Sequence, residues 1–162
     1  MLRWKHSFVV MLAPAVLALG AAPTPRTAVD PPLRAMLDSA YQDEHVARSI
    51  YARVLTEHGT VMPFANIVHA EQRHADHVSA LLTARGEPTP VPRATPERAP
   101  SFASVREACV AAITAEEENI AMYDRFLARE LPDDVKAVFE QNRWASVERH
   151  LPAFQRCVAR GR

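Results

Sequence analysis

Four long stretches of this chain carry apolar residues at helical spacing, and proline or glycine punctuates the boundaries between them. Strand-like alternation is absent. The first stretch opens beside Pro31-Pro32, where proline suits a first helical turn, and closes at His58-Gly59 with glycine as the cap. A second runs from about Pro63 to Arg85 and stops at Gly86. Ser101 reads as the N-cap of a third that continues to about Glu130, and Leu131-Pro132-Asp133 separates it from a fourth reaching Val158. Residues 87–100 include Pro88, Pro90, Pro92, Pro96 and Pro100 and read as an extended linker. Short connections join the first helix to the second and the third to the fourth. The expectation is an all-α domain over residues 33–158, built as two antiparallel helical hairpins joined by a crossover into a four-helix bundle.

The apolar stripes are interrupted by charge. At 100° per residue Phe64, Val68, Ala75, Val78 and Leu82 share one face, with Glu71 in its middle and His74 on its edge. Glu44 lies within the Leu37, Ala40, Ala47, Tyr51 and Leu55 stripe. Glu116 lies near the centre of the Cys109, Ile113, Ile120, Tyr123 and Leu127 stripe, with Glu117 on its flank. A charged group facing a core is costly unless it is paired or binds a metal. Glu71 and His74, at i and i+3, form the helix-borne half-site from which carboxylate-bridged metal centres are made.

The fourth stretch departs from this pattern. His150 matches His74, but the position one turn earlier is Val147, so one carboxylate of a symmetric scheme is missing. Asn142, Ser146 and Arg149 fall on or beside the inner face. Glu44 to His74 spans 30 residues and Glu116 to His150 spans 34, so the two hairpins repeat each other.

Several segments together resemble the ferritin-like family of bacterial and archaeal domains known as domain of unknown function 2202. Asp43 to Tyr51 resembles that family's EE-x-x-AR-D-x-Y opening, and Phe64 to His74 resembles its F-x-NIA-x-SEQ-x-H segment closely. Glu116 to Ile120 is similar to its IEE-x-DI segment, and His150 to Phe154 to its closing HL-x-AF. Asp43 stands in place of a glutamate, Ser49 and Asn119 in place of aspartates, and the linker is shorter and richer in proline. The resemblance covers residues 33 to 155 and implies a ferritin-like fold with a metal centre. Phase favours Glu116 as the ligand from the third helix, while the triple glutamate keeps Glu117 beside it.

Carboxylates combined with imidazoles suit iron or manganese. Glu44, Glu71 and Glu116 or Glu117 would bind or bridge, and His74 and His150 would terminate, in a mononuclear or dinuclear centre. An open position would admit O₂ or peroxide, giving ferroxidase-like or peroxidase-like chemistry. The contrasting expectation is a non-catalytic helical bundle of the cell envelope that binds metal or a protein partner. Val147 favours it, and so does Arg149, whose inward phase would pair with Glu44 or repel a cation. His69 and His77 read as surface residues and His45 as no ligand, while His58 suits the end of the first helix. Tyr51 and Tyr123 read as core residues with hydroxyls bonded to the carboxylates. Trp144, on the outer phase, is either a contact in a homodimer or a solitary exposed aromatic.

Residues 1–21 read as an export signal: Arg3, Lys5 and His6 precede an apolar run too short for a comfortable span, followed by Ala18, Gly20 and Ala21. Residues 22–32 form a proline-rich lead-in. A periplasmic or secreted protein with no stable membrane anchor is expected. Cleavage removes two of the 19 basic residues and leaves 17 against 19 acidic, a net charge of −2 that offers no footprint for nucleic acid. In an oxidising compartment the two cysteines, Cys109 and Cys157, should pair. They lie 22 residues before Leu131 and 25 after Pro132, an offset of about 4.5 Å along an antiparallel hairpin.

Overall fold

The computed structural model describes residues 29–161, and among them the chain is all-helical with no strand. The export-signal expectation falls on residues 1–21, outside the described residues. Helix α1 spans Pro31–His58, α2 Phe64–Ala84 and α3 Val105–Leu127. The fourth stretch is not one continuous α-helix. It comprises α4 (Asp133–Ala145), a π-helical turn (Ser146–His150) and α5 (Leu151–Ala159). Among the described residues no helix is long and apolar enough to cross a membrane.

Local chemistry explains the boundaries. Gly59 takes φ 77° beyond α1, a left-handed value that favours glycine. Ser104, rather than Ser101, caps α3: its hydroxyl accepts from the Glu107 backbone amide at 3.1 Å. Glu107 returns the favour by accepting from the Ala103 amide at 3.0 Å, a reciprocal arrangement that starts the helix three residues later than the sequence implied.

The linker is extended but anchored. The side-chain amide of Gln42 donates to the Val91 carbonyl at 3.0 Å and accepts from the Arg93 amide at 2.9 Å, so one buried side chain of α1 satisfies linker backbone on both sides of Pro92. Arg34 to Glu87 at 2.6 Å and Arg93 to Asp38 at 2.9 Å tie its start and its middle to the same helix. A single 3₁₀ turn, Pro96–Arg98, precedes α3.

The interior divides into two apolar clusters. One contains Leu37, Val78, Leu82, Tyr123, Val135 and Phe139. The other contains Tyr51, Val54, Phe64, Cys109, Phe154 and Cys157. Aromatic packing knits the second, with ring centroids 5.5 Å apart for Tyr51–Phe64, 5.2 Å for Tyr51–Phe154 and 5.1 Å for Phe64–Phe154. Each such pair adds roughly 0.5–1.5 kcal/mol beyond the area it buries. Cys109 and Cys157 are joined by a disulfide with Cα atoms 6.2 Å apart, linking α3 to α5 within this cluster as their register predicted. Along every helix, the residues between the two clusters are buried and polar: Glu44 on α1, Glu71 and His74 on α2, Glu116 and Asn119 on α3, Asn142, Ser146 and His150 on the fourth stretch. A polar layer thus crosses the interior where apolar side chains would otherwise meet.

Candidate metal centre

Glu71 occupies the middle of that layer. It is 2% exposed, and its two oxygens face different histidines. Oε2 lies 3.1 Å from His74 Nδ1, and Oε1 lies 3.1 Å from His150 Nδ1. Each histidine has a second carboxylate at the same nitrogen: Glu44 Oε2 is 3.3 Å from His74 Nδ1, and Glu116 Oε2 is 3.5 Å from His150 Nδ1. The five groups form a chain, Glu44–His74–Glu71–His150–Glu116, drawn from every long helix. Helical periodicity places the α1, α2 and α3 members, each one turn or two from the apolar residues of its own stripe.

The π turn places the last. Its i→i+5 spacing widens the helix locally, a feature that recurs at functional sites. Ser146 and His150 both point inward from it, while Arg149 is exposed and lies 5.2 Å from the Trp144 ring centroid. A straight α-helix would have brought Arg149 towards the interior. The wider turn swings it out, so the alternative Glu44–Arg149 pairing does not form, and among the described residues no arginine forms an ion pair with Glu44, Glu71 or Glu116. Val147 is half-buried and supplies no ligand.

The remaining carboxylate oxygens are held by neutral donors. Tyr123 donates to Glu44 Oε1 at 2.6 Å and Tyr51 donates to Glu116 Oε1 at 2.8 Å, as their positions in the stripes predicted. Asn119 donates to Asp43 at 2.7 Å and to Glu44 Oε1 at 3.3 Å, and accepts from the Ser146 hydroxyl at 2.9 Å. Asn142 donates to the Tyr123 hydroxyl at 3.1 Å. These groups orient the carboxylates and leave the inward-facing oxygens and both Nδ1 atoms to one another.

Burial and proximity set the protonation. Burial lifts Glu44 above the usual carboxylate range, against the pull of His74. Burial pushes Glu71 the same way, but the flanking His150 and His74 outweigh it and hold Glu71 below its ordinary value. For the histidines burial alone would lower the pKa; Glu44 and Glu71 instead carry His74 to about 9, and Glu116 and Glu71 carry His150 to about 10. Burial, reinforced by Glu116 for Tyr51 and Glu44 for Tyr123, raises both tyrosines well above 10, so both hydroxyls stay donors. Asp43, beside the layer, is lifted by burial to about 6 against the hydrogen bond from Asn119.

The donor set fits a metal ion on a specific observation. His150 Nδ1 and Glu71 Oε1 are buried and 3.1 Å apart, yet their orientation is not that of a hydrogen bond, and neither atom has a hydrogen-bond partner elsewhere. Two buried ligand atoms left side by side without a hydrogen bond are what a shared cation would satisfy once His150 gives up its proton. Glu71, His74 and His150 offer ligand atoms all within 4.8 Å of one another.

Five of the six residues singled out from the sequence therefore converge. Glu117 does not: it is exposed, because Glu116 takes the inward phase of α3 and its neighbour lies about 100° away. Sequence reasoning passed over Asn119 as a member of the polar layer, although it sits at i+3 from Glu116 on the same face. It also missed His45, which is buried against Tyr41 with ring centroids 4.5 Å apart and Nε2 unpartnered. His77, read as a surface residue, is half-buried with Nδ1 3.4 Å from Asn142 Oδ1.

No protein-family model matches the chain, and no curated protein matches it. Solved structures share its fold, two hypothetical proteins among them. A hypothetical protein from Methanococcus jannaschii superposes with a TM-score of 0.73 at 23% identity, covering 86% of this chain and 87% of that one. A conserved hypothetical protein from Mycobacterium tuberculosis superposes with a TM-score of 0.66 at 18% identity, covering 78% and 89%.

Proposed function

We propose that this chain is an exported, ferritin-like four-helix protein whose polar layer binds iron or manganese and supports oxidase-type or peroxidase-type redox chemistry. The observation that carries the reading is Glu71, with one oxygen facing each imidazole and one of those facing pairs left without a hydrogen bond. Glu71 would bridge. Glu44 with His74 would hold one ion, and Glu116 with His150 a second; a mononuclear form would use Glu71, His74 and His150. The bound ions would supply one-electron redox chemistry, which none of these side chains provides. The protein's own part is distinct. Tyr51, Tyr123 and Asn119 fix the carboxylates, the two apolar clusters flank the layer above and below, and His74 and His150 release protons when a cation takes their place. The resemblance to domain of unknown function 2202 supports the same reading.

Anaerobic titration of the purified protein with Fe²⁺, followed by metal analysis after gel filtration, tests it. One or two ions per chain are expected, with Fe²⁺ then consumed on exposure to O₂ or peroxide. Retention of no ion sinks the metal reading. Stoichiometric binding without oxidation leaves a non-catalytic metal-binding bundle, the reading that the missing carboxylate at Val147 favours.

A further inference from the structure

A cavity of about 130 Å³ opens in the surface between α1 and α3 and runs to the polar layer. Glu71 and Glu116 line it, with Tyr51 beside them. Val46 and Glu118, both exposed, line its outer part, and Ala47, Ile50 and Ala115 form apolar walls. Its charges are all of one sign. Four carboxylates line it, from Asp43, Glu71, Glu116 and Glu118, and no lysine, arginine or histidine does. A neighbouring hollow shares Asp43 and Glu118 but is lined by Arg125 as well and reaches neither Glu71 nor Glu116. Narrow clefts lined by one sign of charge between low-dielectric walls concentrate counter-ions and speed their arrival. Glu71 supplies the second, independent sign of a ligand: its Oε1 is buried, lacks a hydrogen-bond partner and belongs to a side chain lining the cavity.

We infer that the α1–α3 cleft is the loading route for divalent cations, with Glu118 as the collecting charge and Ala47 and Ala115 as the small residues that set its aperture. The inference rests on the metal-centre reading, and it goes further by separating residues that hold the ion from residues that admit it. Glu118 touches none of the five converging ligands, so its role is kinetic. A charge at the mouth alters the rate of arrival and its dependence on salt, while the equilibrium occupancy stays with Glu71 and its partners.

Stopped-flow mixing of the purified protein with Co²⁺, read by the visible absorption of bound cobalt, tests this directly. At low ionic strength Glu118→Gln should slow loading about threefold and Glu118→Lys about tenfold, with both effects shrinking in high salt. Ala115→Leu, with Ala47→Leu as the second variant should the first not fold, should slow loading at every salt concentration. Final stoichiometry should equal that of the wild type throughout. Wild-type loading rates in Glu118→Lys overturn the route while leaving the centre intact. A wild-type protein that takes up no cobalt overturns the route and the centre together.

Discussion

His74 and His150 stack with ring centroids 5.3 Å apart and planes inclined by 24°, and each turns Nδ1 towards a different oxygen of Glu71. Two cationic rings would repel at this distance without the carboxylate between them. Glu71 is therefore the residue on which the layer depends. Glu71→Gln should abolish stoichiometric metal binding while leaving helix content unchanged, with equilibrium dialysis and circular dichroism as the measurements. Undiminished binding in that variant would refute the bridging role.

The tyrosine hydroxyls are the second target. Tyr123→Phe removes the 2.6 Å donor to Glu44 and also one of the two acceptors of the Asn142 amide, leaving it the longer 3.4 Å bond to the His74 carbonyl, whereas Tyr51→Phe removes only the donor to Glu116. A hydrogen bond to a buried charge contributes about 1.5–3 kcal/mol. Both variants should melt lower in calorimetry, and Tyr123→Phe should lose more. An order reversed, or no loss in either, would contradict the hydrogen bonding described.

Removing the Cys109–Cys157 bond frees a 48-residue separation. The chain-entropy model assigns about 4 kcal/mol to such a crosslink. The double serine variant should lower the urea midpoint accordingly. Mass spectrometry of the unreduced protein should meanwhile find no alkylatable thiol.

Acidity offers an independent check on the metal-free protein. The folded pKa values of His74 and His150, about 9 and about 10, lie above the ordinary histidine value. A group raised on folding contributes stability that is complete below its unfolded pKa, near 6.5, and is lost as pH rises through the folded one. Metal-free protein should therefore unfold more readily as pH climbs from about 7 to 10. Metal-loaded protein should escape this trend, because bound ions replace the protons. Denaturant midpoints measured across that range, with and without metal, decide it.

Arg149 provides a control. It is exposed and stacks on Trp144, so Arg149→Ala should change stability by no more than about 0.5 kcal/mol and leave metal affinity untouched. A marked gain in affinity would mean that the guanidinium does border the centre.

Helical phase alone brought Glu44, Glu71, His74 and Glu116 onto inner faces, because side chains on an α-helix repeat at a fixed angle and the apolar residues mark which angle is inward. The same rule misread Arg149. A π turn depends on how the backbone settles around its neighbours, and nothing in Ser146 to His150 announces i→i+5 spacing. Gln42 escaped for a different reason: its partners are backbone groups of the linker 49 and 51 residues away, and backbone carries no signature in the sequence. Ser101 and Ser104 are equally good caps on composition. Glu107, placed to bond back to the Ala103 amide, decides between them.

The inventory of the polar layer has an electrical consequence. Asp43, Glu44, Glu71 and Glu116 together bring four negative charges into or beside the interior when ionised. Two protons, one on each histidine, offset only half of them. Two divalent cations facing neutral imidazoles would offset all four and make the middle of the molecule as nearly neutral as the apolar clusters on either side. A trivalent ion in either place would leave a surplus positive charge in a medium that tolerates it poorly. Electroneutrality thus favours a pair of doubly charged ions over ions of higher charge.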